Sequence, residues 1–76
     1  MLNPSFKQFY HVTFYNKTVR ALAKDNKSHP EYEDHWGDAH TQDVAAHSEH
    51  EAKQKLFQRF PPQDGFVIEQ VVLETQ

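Results

Sequence analysis

The sequence predicts a small α+β domain, in which an antiparallel sheet of three or four strands packs one face against one main helix. Residues 9–15 and 66–73 have the alternating or β-branched composition of strands, and residues 48–60 repeat apolar side chains at helical spacing. A chain of 76 residues also leaves room for only one shallow core. We therefore expect a single domain over residues 1–76, in the order strand, strand or short helix, strand, helix, strand.

The first predicted strand covers residues 9–15. Its apolar side chains Tyr10, Val12 and Phe14 alternate with polar ones. A period of two places these three side chains on one face of a strand. This face is therefore expected to enter the core.

The next stretch has two interpretations. Asn16 and Lys17 suit a two-residue turn, because asparagine tolerates the left-handed region, and residues 18–24 would then return as a second strand. The spacing of Val19, Leu22 and Ala23 fits a short helix instead. The sequence leaves both structures open.

Residues 25–40 are predicted to form a long, acidic and histidine-rich loop. They show no apolar periodicity and contain Pro30 and Gly37. Loops longer than about 12–15 residues are uncommon in compact domains and are usually functional or disordered. Tyr32 and Trp36 argue against disorder alone, so this loop becomes the main candidate for function.

A short strand over residues 41–47 and a helix over residues 48–60 follow. Val44 and Ala46 face inward in the predicted strand. Ser48 with Glu51 three residues later is the pattern of a capping box, in which each side chain accepts from the other residue's backbone N–H. The predicted apolar face of the helix consists of Ala52, Leu56, Phe57 and Phe60, and Pro61-Pro62 ends it.

The last predicted strand, residues 66–73, follows a turn at Asp64-Gly65 and is apolar on both faces. By simple alternation one face carries Phe66, Ile68 and Val72, and the other carries Val67, Val71 and Leu73. One face should cover the helix. The other is expected to meet a second element, another protein or a second copy in a homodimer.

Charge is unevenly distributed along the chain. The formal net charge is −3, but residues 1–24 carry +4, residues 25–51 carry −7, and residues 52–76 are balanced. This acidic excess argues against direct binding of nucleic acid. A basic protein surface, including one that normally holds nucleic acid, is the better expected partner.

The composition also excludes several kinds of chemistry. There is no cysteine, and the two glycines form no phosphate-binding loop. No nucleophile motif or paired-carboxylate pocket is visible, so we expect no enzyme, no catalytic residue and no cofactor. The lack of cysteine and of a leader-like or membrane-spanning apolar run predicts a cytoplasmic protein without membrane contact.

The six histidines are the features most suggestive of a metal. Imidazole and carboxylate groups are suitable ligands. However, no HExxH helix is present, and His47 and His50 lie on either side of the predicted helix start. We predict no metal site, with a histidine-rich metal-binding protein as one alternative.

The predicted partner-binding residues share one segment of the loop and combine negative charge with aromatic rings, which are enriched at binding hot spots. They are Glu31, Tyr32, Glu33, Asp34, Trp36 and Asp38. A second interpretation has Tyr32 and Trp36 folding back to complete the core. The two interpretations are compatible in part.

Residues 41–72 resemble the strand–helix–strand layout of small phage inhibitor proteins. The relevant runs are AAHSEHEA at residues 45–52 and FPPQDGFVIEQV at residues 60–71, where a helix passes through a proline and glycine turn into the last strand. The resemblance includes a coliphage inhibitor of host RNA polymerase, and several small anti-CRISPR proteins are similar in size and layout. The insertion at residues 25–40 departs from the coliphage pattern, so the target is not carried over.

This resemblance implies a non-enzymatic inhibitor, encoded by a phage or mobile element, that blocks a host or defence complex handling nucleic acid. The expected partner is a host protein complex with a basic nucleic-acid-binding surface. The alternative is a homodimeric structural or adaptor module of a bacterial cell. Both classes fit a small acidic chain with no catalytic motif.

Overall fold

A computed structural model describes residues 6–74 and shows a three-stranded antiparallel sheet with two helices. The strands are β1 (Gln8–Asn16), β2 (His40–Ala46) and β3 (Phe66–Leu73), and the helices are α1 (Lys17–Lys24) and α2 (Glu49–Arg59). β1 lies in the centre, between β2 and β3. The predicted α+β class is confirmed, with α2 as the main helix.

One face of the sheet carries the core. The alternation of β1 buries Tyr10, Val12 and Phe14, as predicted. α2 contacts all three strands, and its buried residues Ala52 and Leu56 pack against this face. The opposite face of the sheet, called here the outer face, carries the polar side of β1.

The predicted turn at Asn16-Lys17 is wrong, because Asn16 instead starts α1. Its side-chain Oδ1 accepts from the N–H groups of Thr18 and Val19, both at 3.0 Å, which is the N-cap arrangement. Its Nδ2 donates to the carbonyl of Asp64 at 2.9 Å. The fully buried carboxamide therefore joins the start of α1 to the turn before β3.

The capping box at Ser48 forms only in half. Ser48 Oγ accepts from the Glu51 N–H at 3.1 Å, as expected. The Glu51 carboxylate, however, accepts from the backbone N–H of His47 at 3.3 Å and contacts the His47 ring at 3.2 Å. Glu51 is therefore turned towards the residue before the cap. The predicted helix over residues 48–60 is observed one residue shorter at each end, because Ser48 and Phe60 are its caps.

A bulge in β3 corrects the predicted strand faces. β1 residue Thr13 pairs with Gln70, but the next residue, Phe14, pairs with Ile68, so Glu69 is an extra residue. The bulge moves Val71 to the face of Ile68, where both pack against the core. Simple alternation had assigned Val71 to the opposite face, and a register shift of one residue reverses it.

Gly65 has no room for a side chain, which makes it a sensitive test of the junction around Asn16. Its φ is +102°, and an added Cβ would lie 2.5 Å from Thr18 Oγ1 and 2.7 Å from Asn16 Oδ1. Gly65→Ala is therefore expected to lower the free energy of unfolding by about 1–3 kcal/mol, from backbone strain and a displaced cap. Urea denaturation measures this change.

Gly65→Asn serves as the control, because asparagine tolerates a positive φ but still introduces a Cβ. It should remain well below the parent in stability. A stability equal to that of the parent for either variant would contradict the crowding at this position.

Candidate functional site

The acidic loop, residues 25–39 between α1 and β2, is attached to the core by its two aromatic residues. The Trp36 ring lies 5.4 Å from the Phe60 ring between centroids, and the Tyr32 ring meets Phe66 edge-on at 5.2 Å. The Tyr32 hydroxyl also donates to Asp64 Oδ2 at 2.7 Å. Tyr32 and Trp36 thus complete the core, and their predicted role in touching a partner is not tested by these contacts.

A second attachment joins the loop to α1. Arg20 Nε donates to the carbonyl of Gly37 at 2.8 Å, at the end of the 3₁₀ turn Asp34–Gly37. A Cβ on Gly37 would lie only 3.0 Å from the backbone N and Cα of Arg20, so the two backbones approach as closely as glycine allows. The Arg20 guanidinium lies 3.7 Å from the centre of the Tyr15 ring, which orients it.

Two histidines organise the loop backbone. His29 Nδ1 is the acceptor for the N–H groups of Glu31 at 3.0 Å and Tyr32 at 3.2 Å. Both backbone N–H groups converge on this one ring nitrogen, so the His29 side chain fixes the backbone turn over residues 29–32. At the other end, His40 Nε2 donates to the carbonyl of His35 at 2.8 Å. The two histidines therefore fix the loop backbone at residues 31–32 and at residue 35.

The four carboxylates of the predicted site lie on the exposed surface of this loop. They are Glu31, Glu33, Asp34 and Asp38. The first three line an open cleft with Ser28, His29, Pro30 and Tyr32. Asp34 and Asp38 line a second cleft beside α1, which includes Arg20 and Lys24. The structure thus collects the predicted residues on one loop but distributes their charge over two adjoining surfaces.

The outer face holds a polar cluster that the sequence did not reveal. His11 Nδ1 lies 2.6 Å from Asp43 Oδ1 on β2, and His11 Nε2 lies 3.3 Å from Glu74 Oε1 just after β3. The hydrogen bond to Asp43 raises the pKa of His11 above its usual value, with a smaller contribution from Glu74. Only the strand register could have revealed this cluster, since 32 residues separate His11 from Asp43.

The His11 cluster predicts a pH dependence. Because the folded pKa is raised, the interaction contributes fully to stability below the unfolded pKa of about 6.5 and is lost as pH rises through the folded value. An NMR titration of the His11 ring should give a raised pKa, which Asp43→Asn lowers. Asp38→Asn is the control and should leave it unchanged. Equal pKa values in the parent and Asp43→Asn would contradict the role of Asp43.

No family model matches the chain, and neither the curated proteins nor the solved structures contain a significantly similar one. Within residues 6–74, no group of three or more histidine and carboxylate side chains is placed to hold a metal ion. The same part of the chain contains no helix of sufficient length and apolar character to cross a membrane.

Proposed function

We propose that this chain is a non-enzymatic inhibitor that binds a host protein complex through the acidic loop and covers a basic surface used for nucleic acid. The observation that carries this proposal is the attachment of the loop to the core by Tyr32 and Trp36, with its carboxylates left exposed. The class of protein comes from the resemblance of residues 41–72 to small phage inhibitors. Its site of action would be the host cytoplasm.

An ordered acidic surface favours binding in two ways. Clustered negative charge raises the rate of encounter with a basic groove and disfavours acidic partners. A loop already held by hydrogen bonds and ring contacts also loses less conformational entropy when it docks. Tyr32 and Trp36 contribute mainly by holding the loop, and their exposed edges complete the contact.

Because Trp36 mainly holds the loop, a Trp36 variant is a poor test of the binding surface. Trp36 contacts Phe60 and also Phe66, at 6.0 Å between ring centroids. Trp36→Ala would therefore disturb the core and the loop together, and a loss of binding would have two causes. The exposed carboxylates are the better test, since their replacement leaves the core unchanged.

The test compares two double variants that remove the same charge. Glu31→Gln/Glu33→Gln changes the loop, and Glu49→Gln/Glu69→Gln changes exposed carboxylates elsewhere. An affinity pull-down from the natural host should recover the partner complex with the parent and with the Glu49/Glu69 pair. Recovery should fall severalfold with the loop pair, and it should fall for the parent as salt shortens the screening length from about 8 Å at physiological ionic strength.

Equal recovery with both double variants would overturn the role of the acidic loop. A co-purifying small molecule with no protein partner would overturn the binding-protein class itself. Binding that persists unchanged at high salt would show that charge is not the attraction.

The alternative function, a homodimeric module, is supported by exposed apolar side chains on the sheet. Phe9 is 54% exposed and Val72 is 42% exposed, and both lie on the outer face. Sedimentation equilibrium at micromolar concentration distinguishes a monomer from a dimer. If a dimer forms, Val72→Lys should dissociate it. Val71, which simple alternation placed on this face, packs against the core and is unsuitable for this test.

A further inference from the structure

A groove separate from the acidic loop runs between the free edge of β2 and α2. Among the strands of residues 6–74, β2 is at the edge of the sheet and pairs only with β1. The groove is lined on the strand side by the four consecutive residues 42–45 and on the helix side by Lys55, Leu56 and Arg59. We call it the edge groove. It combines a strand edge, an apolar floor and two cationic side chains.

The strand edge presents backbone groups that point away from β1. Lys55 Nζ donates to the carbonyl of Ala45 at 2.6 Å, so this carbonyl faces the helix side and not β1. Backbone groups alternate in direction along a strand, which turns those of Thr41 and Asp43 the same way. The close cross-strand contact between Thr13 Oγ1 and Thr41 Oγ1, at 3.2 Å, agrees with a pair that exchanges no backbone hydrogen bonds.

The two edges of the sheet differ in regularity. β2 pairs with β1 without interruption over seven residue pairs, from Gln8 with Ala46 to Phe14 with His40. β3 is interrupted at Glu69 by its bulge, which twists a strand and makes its free edge a poor template. β2 is therefore the edge on which a further strand can pair in regular register.

The side chains of the groove define what such a strand would carry. Val44 is half-buried and Leu56 is 2% exposed, so together they form an apolar floor beside the strand. Lys55 and Arg59 stand along the helix side and supply positive charge, and the Lys55 ammonium is shared with the Glu51 carboxylate, whose Oε1 lies 3.3 Å away. A matching strand would therefore have an extended backbone for the strand edge, an apolar side chain for the floor and a carboxylate for the cations.

We propose that the edge groove binds an extended acidic peptide segment of a protein partner, which adds to the sheet as a fourth strand beside β2. An amide of the incoming strand replaces the Lys55 ammonium on the Ala45 carbonyl, and the released ammonium pairs with a carboxylate of the peptide. Addition of a strand to a sheet edge is a recurring mode of peptide recognition, in which backbone hydrogen bonds give affinity and side-chain pockets give specificity. This site is independent of the acidic loop. The loop is proposed to bind a basic surface, whereas the edge groove would bind an acidic segment.

The probe is a library of random octapeptides displayed on phage and selected on the immobilised full chain. Selected peptides should alternate β-branched or apolar residues with polar ones and carry at least one acidic residue. They should bind Lys55→Gln/Arg59→Gln at least tenfold more weakly than the parent. The matched control is Lys24→Gln/Lys53→Gln, which removes two exposed cations outside the groove and should bind as the parent does.

Amide hydrogen exchange provides a second measurement that a general loss of charge would not change. Saturation with a selected peptide should slow the exchange of the Thr41, Asp43 and Ala45 amides, because strand pairing occupies those groups. Circular dichroism of both double variants verifies that they fold.

Several results would overturn the proposal. Selection that enriches no peptide, or peptides that bind both double variants equally, would remove the groove as a site. Protection of residues 66–73 would assign binding to the other edge. A dimer in sedimentation that Lys55→Gln/Arg59→Gln dissociates would show that a second copy occupies the groove.

Discussion

Phe14→Ala is expected to lower the free energy of unfolding by about 3–5 kcal/mol, the usual cost of removing a buried phenylalanine. Phe14 is 1% exposed, and its ring centroid lies 4.7 Å from Phe60, 6.1 Å from Phe66 and 6.5 Å from Trp36. Its loss would leave a cavity lined by these three rings, which come from the acidic loop, the end of α2 and β3. Since a domain of this size has a stability of only about 5–10 kcal/mol, this change should remove a large fraction of it and lower the urea midpoint strongly.

The matched control for Phe14 is Phe9→Ala, on the same strand and the opposite face. Phe9 is 54% exposed, so its removal is expected to change stability by about 0.5 kcal/mol or less. Urea denaturation followed by tryptophan fluorescence measures both variants, and the Trp36 signal also reports whether the acidic loop stays attached. Similar losses from the two variants would contradict the sidedness of β1.

Leu56→Ala is expected to cost about 2–5 kcal/mol, because Leu56 is the larger of the two buried α2 side chains that pack against the sheet. The sequence predicts this position from the spacing of apolar residues along the helix, and its 2% exposure agrees with that prediction. Thermal unfolding monitored by circular dichroism measures the loss. The control is Lys53→Ala on the exposed side of α2, which should leave the melting temperature within a few degrees of the parent.

A loss from Leu56→Ala no larger than that from Lys53→Ala would show that α2 is not packed through this side chain. Phe60 belongs to the same predicted apolar face, but it lies at the end of α2 and is only partly buried. Phe60→Ala should therefore fall in the lower part of the same range.

Local patterns were sufficient for much of the fold. The alternation of β1, the apolar spacing of α2 and the Ser48 cap each depend on residues a few positions apart, and the structure has all three. The short segment after Asn16 was ambiguous because seven or eight residues satisfy both periods. Its outcome as α1 depends on the buried Asn16 carboxamide, which also bonds to Asp64, 48 residues away.

The candidate site likewise has features that follow from local sequence and features that depend on distant residues. The sequence determined where the negative charge and the aromatic residues lie, because composition alone distinguishes residues 25–40 from the rest of the chain. Whether Tyr32 and Trp36 would point into the core depended on space left by Phe14, Phe60 and Phe66, which come from three other elements.

Local periodicity and composition were enough to predict the α+β class, the main helix and the position of the acidic loop. Three features could not be predicted from local patterns, namely the bulge at Glu69, the His11–Asp43 contact and the groove between β2 and α2. Each of these depends on the register of strands distant in sequence. Register is fixed by the packing of the whole core, and a shift of one residue would exchange the two faces of a strand.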